Sequence, residues 1–238
     1  MTPLTVRQFE ADVLQVIERT RYAKSVRFRR PEGFDYLPGH WISLTMGRGD
    51  AKQTKPLSLS SSPTESFLEV TKRLTGHEFS NAFDGLKAGD TVLIRGPNGN
   101  FTFHGEYDKL CMLAGGVGIT PQRSMVRYVA DEGLETSIVL LYSNRFDDAI
   151  PFVDDLDEIQ KRNQHLKVLI TITRPSATWK GQTGRITKQW IESAVPDYSE
   201  RVFYTSGPPR MVDAMRATLR ELGLPETQIK QENFLGYE

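Results

Sequence analysis

The sequence predicts two domains in tandem: an antiparallel β-barrel interrupted by one short helix, followed by an α/β domain on a parallel sheet. Three observations carry this prediction. Apolar residues come in short, partly alternating bursts as far as about residue 103. After Tyr107 the rhythm changes to apolar strands separated by helical segments. Between the first of those strands and its helix lies a glycine-rich run, LCMLAGGVGITP, at residues 110–121.

The bursts at residues 13–17, 25–28, 41–44, 67–70 and 91–94 have the period of half-buried antiparallel strands. Gly33, Pro38-Gly39, Gly47, Gly49, Gly89 and Pro97-Asn98-Gly99 punctuate them at the short intervals of a barrel. One helix is predicted over 78–86. Beyond a boundary near Tyr107, which divides the chain into 1–106 and 107–238, strands are predicted at 110–113, 137–142, 168–172 and 202–205. Helices at 121–131, 150–162, 187–193 and 209–222 supply the crossovers that a parallel sheet requires.

Composition narrows the classes of function. The chain has 238 residues, 38% of them hydrophobic and 25% charged, which suits a globular protein and excludes disorder. Thirty basic and thirty acidic side chains cancel, so no global field draws in nucleic acid or an anionic membrane. The single cysteine, Cys111, cannot supply an iron-sulfur or zinc cluster and reads as a packed strand residue. No basic-then-apolar leader and no apolar run of roughly 20 residues is present, so no membrane span is expected and the expected location is the cytoplasm.

Residues 110–121 have the shape of a phosphate-cradling turn, because glycines let the backbone approach a ligand and a following helix presents unpaired amides to an anion. The run does not fit G-x-G-x-x-G, and alone it could be structural punctuation. A second signal, KPLSLSSSP at 55–63, reads bare as either a cation beside a hydroxyl-rich strand end or a polar edge strand.

Order adds what each motif lacks. KPLS at 55–58, Gly76-x-x-x-Ser80, Gly96-Pro97-Asn98-Gly99, the turn at 115–121, Ser206-Gly207-Pro208 and the terminal ENFLGY at 232–237 together resemble the ferredoxin-NADP reductase superfamily over nearly the whole chain. The resemblance implies an FAD-binding barrel, an NAD(P)-binding α/β domain, and hydride transfer from NAD(P)H to FAD with electrons then leaving to a separate acceptor. That acceptor would be ferredoxin, flavodoxin or a small diffusible molecule. Two alternatives are a free flavin or quinone reductase and a flavin-binding electron-transfer subunit of a larger redox complex.

The same resemblance assigns residues. Lys55, Pro56, Leu57 and Ser58 stand where the family has Arg-x-Tyr-Ser, with Lys55 on the flavin pyrophosphate, Leu57 on the ring and Ser58 nearest its N5. Lysine loses arginine's planar fork and leucine loses the aromatic stack. Thr71 would line the flavin, Gly76 and Ser80 would meet its phosphate, and Phe234 or Tyr237 would shield its other face. Gly115, Gly116, Gly118, Thr120 and Pro121 form the expected coenzyme turn, with Gly207 and Pro208 beside the nicotinamide. Ser206 stands there in place of the family's usual cysteine. The expected catalytic residues are Ser58, Ser206 and Glu232. Arg145, Arg174 and Arg185 fall at later strand ends and lean the expectation toward NADP(H) over NAD(H). Arg19, Arg21, Lys24, Arg27, Arg29 and Arg30 could form a docking face for an acidic partner, or simply the wet face of a strand. The histidines read as polar surface or strand-end residues.

Overall fold

A computed structural model describes residues 4–47, 49 and 52–234. Its first sheet contains β1 (Arg7–Thr20), β2 (Ala23–Arg29), β3 (Trp41–Met46), β4 (Gln53–Ser58), β5 (Phe67–Arg73) and β6 (Thr91–Asn98), in the order β4-β3-β6-β1-β2-β5. Every pairing is antiparallel, and a single bridge from Leu59 to Val70 draws the two edges together. Strand β1 is long enough to serve two partners: Arg7 to Asp12 pair with β6, and from Val13 onward it pairs with β2, with a register shift at the changeover. Inward residues such as Val26, Phe28, Ile42, Leu44, Leu68, Val70 and Ile94 fill the barrel. Among the described residues the one α-helix of this half, α1 (Glu78–Asp84), plugs its end with Phe79 and Phe83.

The second sheet is parallel, with β7 (Lys109–Gly115), β8 (Ser137–Asn144), β9 (Leu166–Ile172), β10 (Gln182–Thr183), β11 (Val202–Gly207) and β12 (Ile229–Asn233) in the order β10-β9-β8-β7-β11-β12. Helices α2 (Ile119–Asp131) and α3 (Val153–Arg162) cover one face, and α4 (Lys188–Ala194) and α5 (Pro209–Glu221) cover the other. Burial on both faces explains why β7 reads as an unbroken apolar run: Leu110 and Met112 enter one core, Cys111 and Leu113 the other. The strand order reverses between β7 and β11, so a crevice opens at their carboxyl ends, the usual ligand position in such sheets.

The expected alternation of strands and helices stands, and the differences lie at element ends. Helix α2 starts at Ile119, two residues before Pro121, because the glycine turn itself winds into a 3-10 turn over Gly116–Gly118. Helix α3 starts at Val153, after Phe152 turns the chain with a φ of 62°. Strands β10 and β12 escape sequence reading: β10 has only two residues, and β12, IKQEN, is mostly polar. Among the described residues no helix is long and apolar enough to cross a membrane.

Candidate active site

A cavity of about 250 Å3 lies where the barrel meets the carboxyl edge of the parallel sheet, lined by Trp41, Pro56, Leu57, Ser58, Thr71, Glu232, Asn233 and Phe234. Each wall follows from a strand end. Strand β4 delivers Pro56 to Ser58, its register sets Trp41 of β3 opposite Ser58, and β5 contributes Thr71. Strand β12 delivers Glu232 and Asn233, with Glu232 in register with Ser206 of β11. Phe234 is held just beyond the strand by its N–H, which donates to Gly207 O at 2.9 Å.

Ser58 Oγ donates to Glu232 Oε2 at 3.0 Å. Burial pushes the Glu232 carboxyl up to about 7, with the Ser58 bond pulling the other way. The pair therefore has two useful states. When Glu232 is ionised, Ser58 spends its proton on the carboxylate and presents lone pairs to the cavity. When Glu232 is protonated it can donate to Ser58, freeing the serine proton to face inward. A group that needs a donor in one redox state and an acceptor in the other is matched by this switch.

The glycines of the β7–α2 turn divide by cause. Gly115 ends β7 with extended backbone, and a Cβ there would lie 2.2 Å from Met211 Sδ. Gly118 abuts β11, where a Cβ would lie 2.4 Å from Ser206 O and 2.5 Å from Gly207 Cα. Gly118 is required by packing against backbone, whereas at Gly115 the neighbour is the flexible end of Met211. Gly116 alone has a positive φ, 53°, and a Cβ there would meet nothing within 4 Å among the described residues, while its carbonyl accepts from Tyr142 Oη at 2.9 Å. Thr120 and Ser206 are fully buried and already bonded: Thr120 Oγ1 donates to Val117 O at 3.0 Å, and Ser206 Oγ donates to Gly118 O at 2.7 Å while accepting from Gln122 Nε2 at 2.8 Å. Pro121 lies in the first turn of α2 and Pro208 caps α5.

The remaining expected residues scatter. Lys55 is exposed on β4. Gly76 has a φ of 77° with open space around it, whereas Ser80 is buried and accepts from Thr75 N at 2.8 Å, a bond within its own loop. Arg145 stacks over Phe146 at 5.3 Å and lines a cavity of about 330 Å3 with Tyr22, Arg73, Gly116, Val117 and Asn144. Arg185 lines a different cavity, of about 540 Å3, with Ser143, Thr173, Pro208, Arg210 and Met211. Arg174 is exposed, and its N–H donates to Arg145 O at 2.9 Å. The three arginines are thus not gathered at one point. Tyr237 lies outside the described residues.

Side-chain partners and burial refine the reading of the cations and of His40, which lies just before β3. The six cations of β1, β2, the turn between them and the following loop are each paired with a carboxylate: Arg19 and Arg27 with Glu69, Arg21 with Asp148, Lys24 with Asp84, Arg29 with Asp12 and Arg30 with Asp35. His40 is buried, its Nδ1 accepts from Leu37 N at 2.9 Å, and burial pushes its pKa down to about 4. Lys72 is buried, and burial together with Lys55 and Arg73 lowers its pKa to about 8. Sequence reading also passed over Trp41, Asn233, Gln122 and Arg210. Strand register or helix packing brings Trp41, Asn233 and Arg210 to these cavities, and Gln122 lies buried between the ends of β7 and β11. Among the described residues no cluster of His, Cys, Asp and Glu could hold a metal.

The cavity fits a flat, largely apolar ring system, with Leu57 and Phe234 as walls and the Ser58–Glu232 pair as its polar edge. Beside the β7–α2 turn, buried Gln122 Oε1 has no hydrogen-bond partner among the described residues. A barrel with such a cavity, set against a parallel sheet with a switch point, has the architecture of flavin- and pyridine-nucleotide-binding oxidoreductases. Residues 14–103 match the oxidoreductase FAD-binding domain family and residues 112–217 the oxidoreductase NAD-binding domain family. The chain belongs to the ferredoxin-NADP reductase-like superfamily of FAD- and NAD(P)-dependent oxidoreductases.

Among its relatives, ferredoxin-NADP reductase B of Sorangium cellulosum is 27% identical over 95% of this chain and 97% of its own length. The glycine betaine monooxygenase reductase subunit of Chromohalobacter salexigens is 29% identical over 93% of this chain, which spans 62% of that protein. The fold is that of a ferredoxin-NADP reductase from Neisseria gonorrhoeae solved with FAD and NADP bound, with a TM-score of 0.83 at 22% identity, covering 95% of this chain and 98% of that one.

Proposed function

We propose that this chain takes hydride from NAD(P)H onto FAD and passes electrons to a separate redox acceptor, with residues 1–106 forming the flavin half and 107–238 the coenzyme half. The observation that carries the reading is the Ser58–Glu232 hydrogen bond, which joins the two sheets inside an apolar cavity. Bound flavin would supply the ability to accept a hydride and release single electrons. The protein's part is to bind, orient and manage a proton. Leu57 and Phe234 enclose the ring, Thr71 lines its edge, and Lys55 with Gly76 lies toward its phosphates. Ser58 faces the reacting position and exchanges its proton with Glu232, whose raised pKa keeps both states accessible near neutrality.

On the coenzyme side, the Gly116 turn and the start of α2 would receive phosphate, and Gly207 and Pro208 would border the nicotinamide with Ser206 buried beneath them. Arg185 and Arg210 share one cavity beside Ser143 and Pro208, which favours NADP(H) over NAD(H) there. Ferredoxin-type and monooxygenase-type reductases among the relatives support a protein acceptor such as ferredoxin or flavodoxin. A second reading, reduction of a small diffusible acceptor such as free flavin or a quinone, draws on the pairing of all six barrel cations, which removes the bare positive face that an acidic partner would seek.

The test is the absorbance spectrum of the purified protein, followed anaerobically on addition of NADPH and, separately, NADH. A yellow protein that bleaches supports the reading, and the faster coenzyme names the donor. A protein that stays colourless with added FAD overturns it. Competition between ferredoxin and quinone acceptors then separates the two acceptor classes.

A further inference from the structure

We infer that three consecutive residues of α2, Gln122, Arg123 and Ser124, are positioning residues that fix the coenzyme-side crevice relative to the flavin-side strand end. The inference rests on the reductase reading above. Gln122 works on the coenzyme side: its Nε2 donates to Leu113 O at 3.1 Å, Tyr204 O at 3.2 Å and Ser206 Oγ at 2.8 Å, tying the ends of β7 and β11 together. The next two residues turn to the barrel. Arg123 Nη1 donates to Ser60 O at 3.0 Å, and Ser124 Oγ donates to Ser61 O at 2.6 Å. Ser60 and Ser61 follow Ser58 by two and three residues. One helical turn, rigid and rising only about 1.5 Å per residue, therefore spans from Ser206 to the strand end that carries Ser58.

Arg123 is only 2% exposed, and its guanidinium also pairs with Glu65 and with Asp155, the latter at 2.5 Å. It lies 5.8 Å from the ring centroid of Phe152, and Arg19 lies over the same ring at 4.4 Å. Arg19 bonds Glu69 at 2.9 Å, and Glu69 accepts from Ser60 Oγ at 2.9 Å, so the circuit returns to Ser60. Phe152 keeps its positive φ inside this frame, a conformation that a bulky residue holds only where its surroundings impose it. Stability alone does not account for the arrangement, since a buried ion pair is often no better than apolar packing of the same volume. What the charges add is direction, because each bond fixes one partner against another.

The test uses the full chain loaded with FAD, carrying Ser124→Ala, Ser124→Thr or Arg123→Lys. The measurements are single-turnover flavin reduction, NADP+ affinity by titration, and amide hydrogen exchange over residues 58–62. Ser124→Ala and Arg123→Lys should slow flavin reduction about tenfold while leaving NADP+ affinity within about twofold. Exchange over 58–62 should rise in both, and Ser124→Thr should restore rate and protection together. Unchanged exchange and rate in Ser124→Ala would overturn the inference, as would a rate that falls only in proportion to lost affinity. If the unaltered protein is not bleached by either coenzyme, the reductase reading fails by itself. Exchange over 58–62 in Ser124→Ala then decides the link without reference to turnover: faster exchange supports it and unchanged exchange sinks it.

Discussion

Ser58 and Glu232 stand 174 positions apart in the chain, yet the serine hydroxyl reaches the carboxylate at 3.0 Å across the meeting of the two sheets. Neither sheet contains this pair alone. The cavity's polar edge comes into being only when β4 and β12 are both in place, which makes it a sensitive reporter of the assembled fold.

Glu232 should impose a recognisable pH dependence. With its carboxyl raised to about 7, the folded protein binds a proton more tightly than the unfolded chain does. Its contribution is full below the unfolded pKa of about 4.5 and is lost as pH rises to about 7, at roughly 1.4 kcal/mol per unit of pH. Glu232→Gln should abolish that slope, leaving the variant about 2 kcal/mol more stable relative to the parent at about pH 8 than at about pH 5. Urea midpoints at the two pH values measure it, and equal slopes in both proteins would contradict the assignment.

Arg123→Met should be severe. Burial opposes the charge of Asp155, but the Arg123 bond and charge outweigh that and hold the carboxyl below the usual range. Removing the guanidinium strands Asp155 and Glu65 in a mostly buried place, at a cost of about 3–5 kcal/mol. Adding Glu65→Gln should recover part of the loss. Denaturant titration of the single and double variants gives the coupling.

Gly118→Ala and Gly116→Ala should differ sharply although the residues are two apart. A methyl at 118 would be driven into the Ser206 and Gly207 backbone, with no flexible end to yield, so a loss of about 3 kcal/mol or more is expected. At 116 only the positive φ resists, at about 1 kcal/mol. Thermal melts distinguish them, and coenzyme titration of the Gly116→Ala protein tests whether the turn there receives a ligand.

Coenzyme choice should respond to Arg185 and Arg210 more than to Arg145, since the first two share a cavity and Arg145 stacks on Phe146 in another. Arg185→Ala should weaken NADPH by about tenfold, near 1.4 kcal/mol, and NADH much less. Equal losses for the two coenzymes would place the 2'-phosphate elsewhere. The measurement is the ratio of kcat/KM values.

Much of this architecture is legible in the sequence because period and punctuation are local. Doubly buried strands such as β7 announce themselves as apolar runs, and the halves differ in rhythm. What escapes is whatever depends on register or on a distant partner. Trp41 reaches the cavity only because β3 pairs it with Ser58. Strand β12 is polar along most of its length and is a strand because β11 offers it an edge. The hydroxyls of Ser80, Thr120 and Ser206 look available in a motif, whereas folding engages each in a bond with its own neighbourhood. The cations of β1 and β2 look like a docking face until their carboxylates, some of them far along the chain, arrive beside them.

Cys111 sits on β7 in the middle of the parallel sheet with none of its surface exposed, and burial raises its thiol well above the ordinary range. A native molecule should therefore ignore alkylating reagents, while one whose central strand has separated should react at once. The chain carries its own clock for opening: the rate at which this lone thiol is labelled counts how often the coenzyme half comes apart, with no probe engineered in.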